Sequence, residues 1–201
     1  VFTVLCEEID MPSSPKIPKE MILNAALTML IRDGYSALNI KALAEELHCS
    51  TQPISRHFGN MEGFRKELAD FALSYAFEKL TPSAPDGREA FKEMGRAYIE
   101  IAFDEPNLFK FLFMGDHSGY QMGGLEALTM DPDNRAIIDK LADNFNIDKE
   151  CAGLYLQNLI VYTHGLASFI ASGVLKADKK EIIDMMYNAG TAFLAQAGVK
   201  L

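Results

Sequence analysis

A chain of 201 residues with 49% hydrophobic content is long enough to bury one or two cores and too apolar to be disordered. A net charge of −9 excludes a generally basic nucleic-acid binder, so any such contact has to be confined to one region. Three scattered cysteines, Cys6, Cys49 and Cys151, exclude a disulfide framework or a cysteine zinc site, and they fit a reducing, cytoplasmic setting.

The first fifteen residues carry Glu7, Glu8, Asp10, Pro12 and Pro15 and read as a tail outside the fold. Met11-Pro12-Ser13-Ser14 would be an ordinary start, which predicts that Val1–Asp10 is a remnant of expression. Lys19–Asp33 reads as a first helix with Ile22, Ala25, Ala26, Met29 and Leu30 on one face, stopped by Gly34. Asn39 is placed to cap a second helix carrying Leu43, Ala44 and Leu47, which His48 and Cys49 interrupt. Ser50 offers another cap, and a third helix is expected from Thr51, with Pro53 in its first turn and Ile54 and Phe58 four apart. Two helices across so tight a turn, the second showing Thr51, Gln52, Ser55 and Arg56 outward, make a helix-turn-helix suited to the major groove.

Beyond Gly59 and Asn60, Phe64, Leu68, Phe71 and Tyr75 mark a connecting helix, and Thr81–Gly87 has the turn chemistry of a linker. Phe91, Met94, Tyr98 and Ile101 form the next stripe, after which Asp104 is expected to cap a short aromatic helix with Pro106 in its first turn. Gly115–Gly124 reads as a loop, Asp131-Pro132 as the start of a helix carrying Ile137, Ile138 and Leu141, and Asp148 as the cap of a long one. Ala152–Leu175 contains no charged residue, but Gln157, Asn158, Thr163 and His164 make it a poor membrane span and a better buried helix. The last helix opens at Asp178-Lys179-Lys180-Glu181, close to a capping box. Its stripe of Ile182, Met186, Ala189 and Phe193, beside the preceding helix with Phe169, has more apolar surface than one face needs and predicts a dimer interface. No alternating strand pattern and no internal repeat appears, so the chain is expected to be all-α.

Residues 16–66 hold seven Lys and Arg against five acids, a balance of +2 that leaves −11 for the remainder. That asymmetry favours DNA contact at one end only. Gln52 suits an adenine edge and Arg56 a guanine or a phosphate, whereas Lys41, Ser50, Thr51, Ser55 and His57 suit the backbone and its surroundings. In the body, Tyr98, Phe103, Phe113, Met114, Tyr120, Met122, Tyr155 and Tyr162 form an aromatic and methionine-rich set. Ordinary core packing accounts for most of them, and a malleable apolar pocket is the functional reading. His164 among apolar neighbours reads as a hydrogen-bonded core histidine, and His117 as surface. Asp116-His117-Ser118 are adjacent in the chain and cannot converge as a catalytic triad, and no nucleophile elbow, phosphate loop or metal pattern is present. No catalysis, metal or cofactor is expected.

The helix ending in Asp33-Gly34-Tyr35, the cap Asn39, the pair Leu43-Ala44, Ser50 and His57-Phe58 together resemble the N-terminal DNA-binding domain of TetR-family transcriptional regulators. Tyr98–Pro106 and Tyr162-Thr163-His164-Gly165 resemble the WHG-type ligand-binding and dimerisation domain found in that family. The resemblance implies a three-helix DNA-binding head over residues 16–62 on a helical body over residues 63–201. It further implies a homodimeric, ligand-responsive regulator, most simply a repressor, that binds a two-fold operator and a small apolar or aromatic ligand. Ser55 and Met61 stand where the family usually has tyrosine and lysine, which removes phosphate contacts. The alternative is therefore a helical small-molecule-binding or scaffold protein with weakened or lost DNA binding.

Overall fold

The computed structural model describes residues 17–84, 87–115, 127–130 and 132–199, with the side chain of Asp133 excepted. The expected tail 1–15, Lys16, Pro85, Asp86, Asp131 of the expected helix start and loop residues 116–124, Tyr120 and Met122 among them, lie outside the described residues. Among the described residues the chain forms ten α-helices, one 3-10 turn and no strand, as the absence of alternation predicts.

Helix α1, Lys19–Asp33, has the expected bounds and buries Ile22, Leu23, Ala26, Leu27, Met29 and Leu30. Gly34 ends it with φ +84°, a conformation costly for a residue with a Cβ, and returns its N–H to the Leu30 carbonyl. A 3-10 turn, Tyr35–Ala37, leads to α2, Ile40–Glu46, where the Asn39 side chain accepts from the Ala42 N–H at 2.9 Å. His48 then takes a left-handed conformation, φ +51°, and the Cys49 N–H reaches back to the Ala44 carbonyl at 2.9 Å. That closes the helix as a Schellman-type stop with histidine in place of the usual glycine.

Helix α3 spans Gln52–Phe58, one residue later than expected. Thr51 occupies the capping position and Ser50 does not cap, because the Thr51 carbonyl already accepts the first helical bond, from the Ser55 N–H. After Gly59, Asn60 caps α4, Met61–Leu80, through the Gly63 N–H at 2.8 Å. This helix runs unbroken from the helix-turn-helix into the body, about 30 Å at 1.5 Å per residue.

The body follows with α5 (Arg88–Asp104), α6 (Pro106–Phe113), α7 (Ala127–Met130), α8 (Pro132–Phe145), α9 (Lys149–Ala171) and α10 (Lys179–Gln196). Glu105, not the expected Asp104, sits at the start of α6; Asp104 ends α5 and its carboxylate pairs with Lys179 at 2.6 and 2.7 Å. The expected cap Asp148 holds α9 through the Cys151 N–H at 2.7 Å. At α10 the Asp178 side chain accepts from the Lys180 N–H, one residue short of a capping box.

Helix α9 is the axis of the body, with α5, α8 and α10 packed along it. Buried residues form one core running from Ile22 in α1 to Met186 in α10 and a second one around Leu141, Ala152, Tyr155 and Leu194. The first core crosses from head to body without a gap. No helix among the described residues is long and apolar enough to cross a membrane. The expectation that α9 is buried on most sides holds for Ala152, Leu156, Leu166, Ala167 and Ala171, whereas Leu154, Val161 and Phe169 are each more than half exposed.

Leu68 of α4 is fully buried, and Phe77, about two and a half turns further along the same helix, is 55% exposed. Leu68→Ala is expected to cost roughly 2–5 kcal/mol in a urea melt and Phe77→Ala no more than about 0.5 kcal/mol.

Candidate nucleic-acid interface and body cavity

The helix-turn-helix is assembled by side chains that face inward. Ile54 is 1% exposed, Phe58 8%, and Phe58 meets Phe64 edge-on with ring centroids 5.2 Å apart. At helical spacing this leaves Gln52, Ser55 and Arg56 together on the opposite face, and all three are exposed. Lys41, Ser50, Thr51 and His57 are exposed as well. His57 plays a second part, because its Nε2 lies 3.0 Å from the Ile17 carbonyl and ties the end of α3 to the segment entering α1.

Part of the positive charge expected on the head serves the fold. Arg32 pairs with Asp33 and forks onto both oxygens of Glu46, at 3.3 and 3.1 Å, joining α1 to α2. Lys19 pairs with Glu67 and joins α1 to α4. Arg65 lies over the Tyr35 ring at 5.4 Å. The exposed cations left along α2 and α3 are Lys41 and Arg56. Met61, where the resemblance leads one to look for a lysine, is half-buried against the core.

In the body, two depressions differ in kind. A wide, open groove of about 760 Å³ beside Phe103, Pro106, Lys110, Asp178 and Glu181 carries charge of both signs. A smaller and more enclosed cavity of about 230 Å³ lies between α5, α8 and α9 and is walled by Phe91, Met94, Ile137, Leu156, Leu159 and Ile160. Leu80, the last residue of α4, closes one side. Tyr98 and His164 line it too, with the Tyr98 hydroxyl 2.9 Å from His164 Nδ1.

Of the eight residues expected to line a pocket, Tyr98 alone among the described ones reaches this cavity. Phe103 lines the open groove, Phe113 packs on Tyr98 at 5.2 Å, and Met114 is exposed on the surface. Tyr155 is buried between Phe91 and Phe145, and Tyr162 stacks edge-on against Phe193 at 6.1 Å. Their aromatic spacing marks core packing, which is what most of the set was expected to do. His164 is the hydrogen-bonded histidine the sequence suggests and a cavity wall besides.

The expected dimer residues also divide. Ile182 and Met186 are 1% and 3% exposed inside the protomer. An added Cβ at Gly95 of α5 would lie 3.1 Å from the Met186 sulfur, so that face of α10 is spent on its own chain. Phe193 is half-buried against Tyr162, and Phe169 is 53% exposed. The outward apolar residues are Leu154, Val161 and Phe169 on α9 and Met185 on α10.

One residue absent from the sequence reading joins head to body. Asn107 on α6 donates from Nδ2 to the Ile31 and Arg32 carbonyls at 3.1 and 3.4 Å, satisfying acceptors that the end of α1 leaves open. Beside it Phe111 stacks on Tyr35 at 5.0 Å. The signal that could have found it is an uncharged amide on a helix otherwise made of apolar residues and Lys110.

Residues 22–68 match the family model described as bacterial regulatory proteins, tetR family. An uncharacterised HTH-type transcriptional regulator, YobS of Bacillus subtilis strain 168, is 23% identical over 108 residues, which cover 52% of this chain and 56% of that protein. The matched part therefore spans little more than half the length of that relative. Among solved structures, a TetR-like transcriptional regulator from Rhodococcus sp. RHA1 aligns over 89% of this chain and 98% of its own, with a TM-score of 0.62 and 13% identity. A TetR variant from Acinetobacter baumannii AYE in complex with minocycline aligns over 90% and 96%, with a TM-score of 0.58 and 16% identity. The TetR family protein ActR of Streptomyces coelicolor in complex with (S)-DNPA aligns over 90% and 98%, with a TM-score of 0.51 and 15% identity. At these identities the likeness establishes the fold.

Burial pushes the Tyr98 phenol far above its ordinary range and the Tyr155 phenol up to about 12. Because the folded values lie above the unfolded one, near 10 for a free tyrosine, the stability tied to these groups is intact below that pH and is lost as pH rises through the folded values. The urea midpoint is expected to fall between pH 8 and pH 11, and to fall less in Tyr155→Phe than in the wild type.

Proposed function

We propose, from the match of residues 22–68 to the model of bacterial regulatory proteins of the tetR family, that the chain is a TetR-type ligand-responsive transcriptional repressor, binding a two-fold operator as a cytoplasmic homodimer. The observation that carries this reading is the division on α3, with Ile54 and Phe58 buried while Gln52, Ser55 and Arg56 are exposed. An exposed amide and guanidinium on one face of a short, well-anchored helix suit adenine and guanine edges in a major groove. Lys41, Ser50 and Thr51 contribute contacts to the backbone, which set register without reading sequence. His57 braces the helix through Ile17 and adds a polar group near the phosphates.

Reading both halves of a two-fold site requires two heads about one helical turn apart, roughly 34–36 Å. The exposed apolar residues Leu154, Val161, Phe169 and Met185 supply a face for a second copy. Gly165, four residues from both Val161 and Phe169, has nothing within 4 Å of where a Cβ would stand, so a partner helix can approach closely there. In this division the head is residues 16–62 and the body residues 63–201.

A small apolar or aromatic effector in the body cavity would press on Leu80, the end of the helix whose other end follows the DNA-reading helix by two residues. Its effect on DNA affinity equals its difference in affinity for the DNA-competent and incompetent arrangements. The crystal structures with minocycline and (S)-DNPA are of family members holding small molecules, which supports the same role here. No step of this scheme asks for catalysis. A second reading, a helical small-molecule-binding or scaffold protein with weakened or lost DNA binding, draws on Met61 packing inward and on Lys19 and Arg32 being paired with acids.

Gel retardation of the DNA upstream of its own gene is the direct test. The intact protein is expected to retard it at low salt, and Gln52→Ala with Arg56→Ala to weaken binding at least about tenfold, each lost base contact costing roughly 1–3 kcal/mol. No retardation, or none lost in the double variant, favours the second reading. Sedimentation is expected to give a dimer for the wild type and a monomer for Val161→Glu with Phe169→Glu, whose fold is checked by circular dichroism.

A further inference from the structure

Resting on the reading of the body as an effector-binding domain, we infer that the cavity between α5, α8 and α9 takes an uncharged molecule of about one substituted ring bearing a hydroxyl group, a simple phenol in chemical class. Size sets the first limit. The cavity measures about 230 Å³. A dry cavity of roughly 150 Å³ holds benzene, and drug-sized ligands occupy roughly 300–1,000 Å³. One ring with a short substituent fills the space between those values.

Charge sets the second limit. Among the described residues the lining contains no Asp, Glu, Lys or Arg. A ligand ammonium would enter without a side-chain anion and a carboxylate without a Lys or Arg, and burying an uncompensated charge costs several kcal/mol. Flat and adaptable walls, the Phe91 ring and the Met94 thioether, favour a ring over a branched chain.

The hydroxyl follows from the polar pair at the cavity wall. Thr163 and Asn134 also line the cavity as smaller polar groups, and Asn134 Nδ2 donates to the Leu128 carbonyl at 2.7 Å. The Tyr98 hydroxyl and His164 Nδ1, 2.9 Å apart, share one hydrogen bond whose direction depends on the imidazole tautomer. When Tyr98 donates to Nδ1, its oxygen keeps a lone pair for a ligand donor. When Nδ1–H donates to Tyr98, the phenol hydrogen is left for a ligand acceptor. A ligand carbonyl meets only the second case, whereas a hydroxyl both donates and accepts and meets either.

The test compares p-cresol, toluene and 4-methylbenzoate by calorimetric titration of the full chain at pH 7 without DNA. With a phenol group that ionises near pH 10, p-cresol is uncharged there. It is expected to bind at least about tenfold more tightly than toluene or 4-methylbenzoate, the margin of one hydrogen bond. Tyr98→Phe is expected to erase the preference over toluene. Equal or tighter binding of toluene or of the carboxylate, no binding of any of the three, or p-cresol affinity untouched by Tyr98→Phe overturns the inference. The ranking on the wild type decides the matter even where the variant fails to fold. Because DNA is absent, failure here leaves operator binding intact, and failure of retardation leaves a positive ranking intact.

Discussion

A helix of seven residues has almost no stability of its own in water, so α3 exists because Ile54 and Phe58 are held by the rest of the head. Everything proposed for its outer face depends on that anchoring. Phe58 lies against Phe64 of the next helix, Ile54 is buried in the core shared with α1, and the left-handed stop at His48 sets the angle at which the chain turns into α3. Gln52, Ser55 and Arg56 are presented in a fixed geometry by residues that do not touch them. The long side chains of Gln52 and Arg56 then lose less freedom on binding than they would on an unanchored helix.

The same core continues into the body, so head and body share packed side chains. Helix α4 carries the covalent connection, and α6 supplies a lateral one through Asn107 on the last carbonyls of α1 and Phe111 on Tyr35. On its inner side α6 meets the cavity wall, where Phe109 packs 5.3 Å from Tyr98 and 6.0 Å from His164. Rings on α6 thus reach the cavity wall through Phe109 and the base of the head through Phe111, joined by the helix itself. Packed interiors shift between discrete arrangements in place of deforming smoothly, so a group inserted at one end can change the position of the other.

Local chemistry was legible in the sequence at several helix ends that depend on adjacent residues, though not at Ser50 or Asp104. Gly34, Asn39 and Asp148 mark helix ends correctly because a positive φ or a capping oxygen is a property of one residue and its near neighbours. The outward face of α3 was legible for the same reason, since Ile54 and Phe58 define the opposite side. What spacing does not reveal is the element across the gap. The stripe of Ile182 and Met186 has the spacing of an outward apolar face, yet it packs against α5 of its own chain, where Gly95 leaves room for a thioether. The face that does remain open on α9 is interrupted by Asn158 and Gly165 and reads as less apolar. Which members of the aromatic set pack in the core depends likewise on their partners: Tyr155 meets Phe91 and Phe145, and Tyr162 meets Phe193, on other helices. Asn107 gave no periodic signal at all, because its partners are backbone carbonyls of a helix some 75 positions earlier.

The central claim is that the outer surface of α3 and its flanking cations meet a phosphate backbone, and salt dependence probes this most directly. Fluorescence anisotropy of a labelled duplex from the upstream region gives the association constant across a series of salt concentrations. A linear fall of log K with log salt, steeper by about 0.9 for every phosphate neutralised, and shallower by about one unit in Lys41→Ala, is the expected result. A line of near-zero slope, unchanged by that substitution, would contradict it.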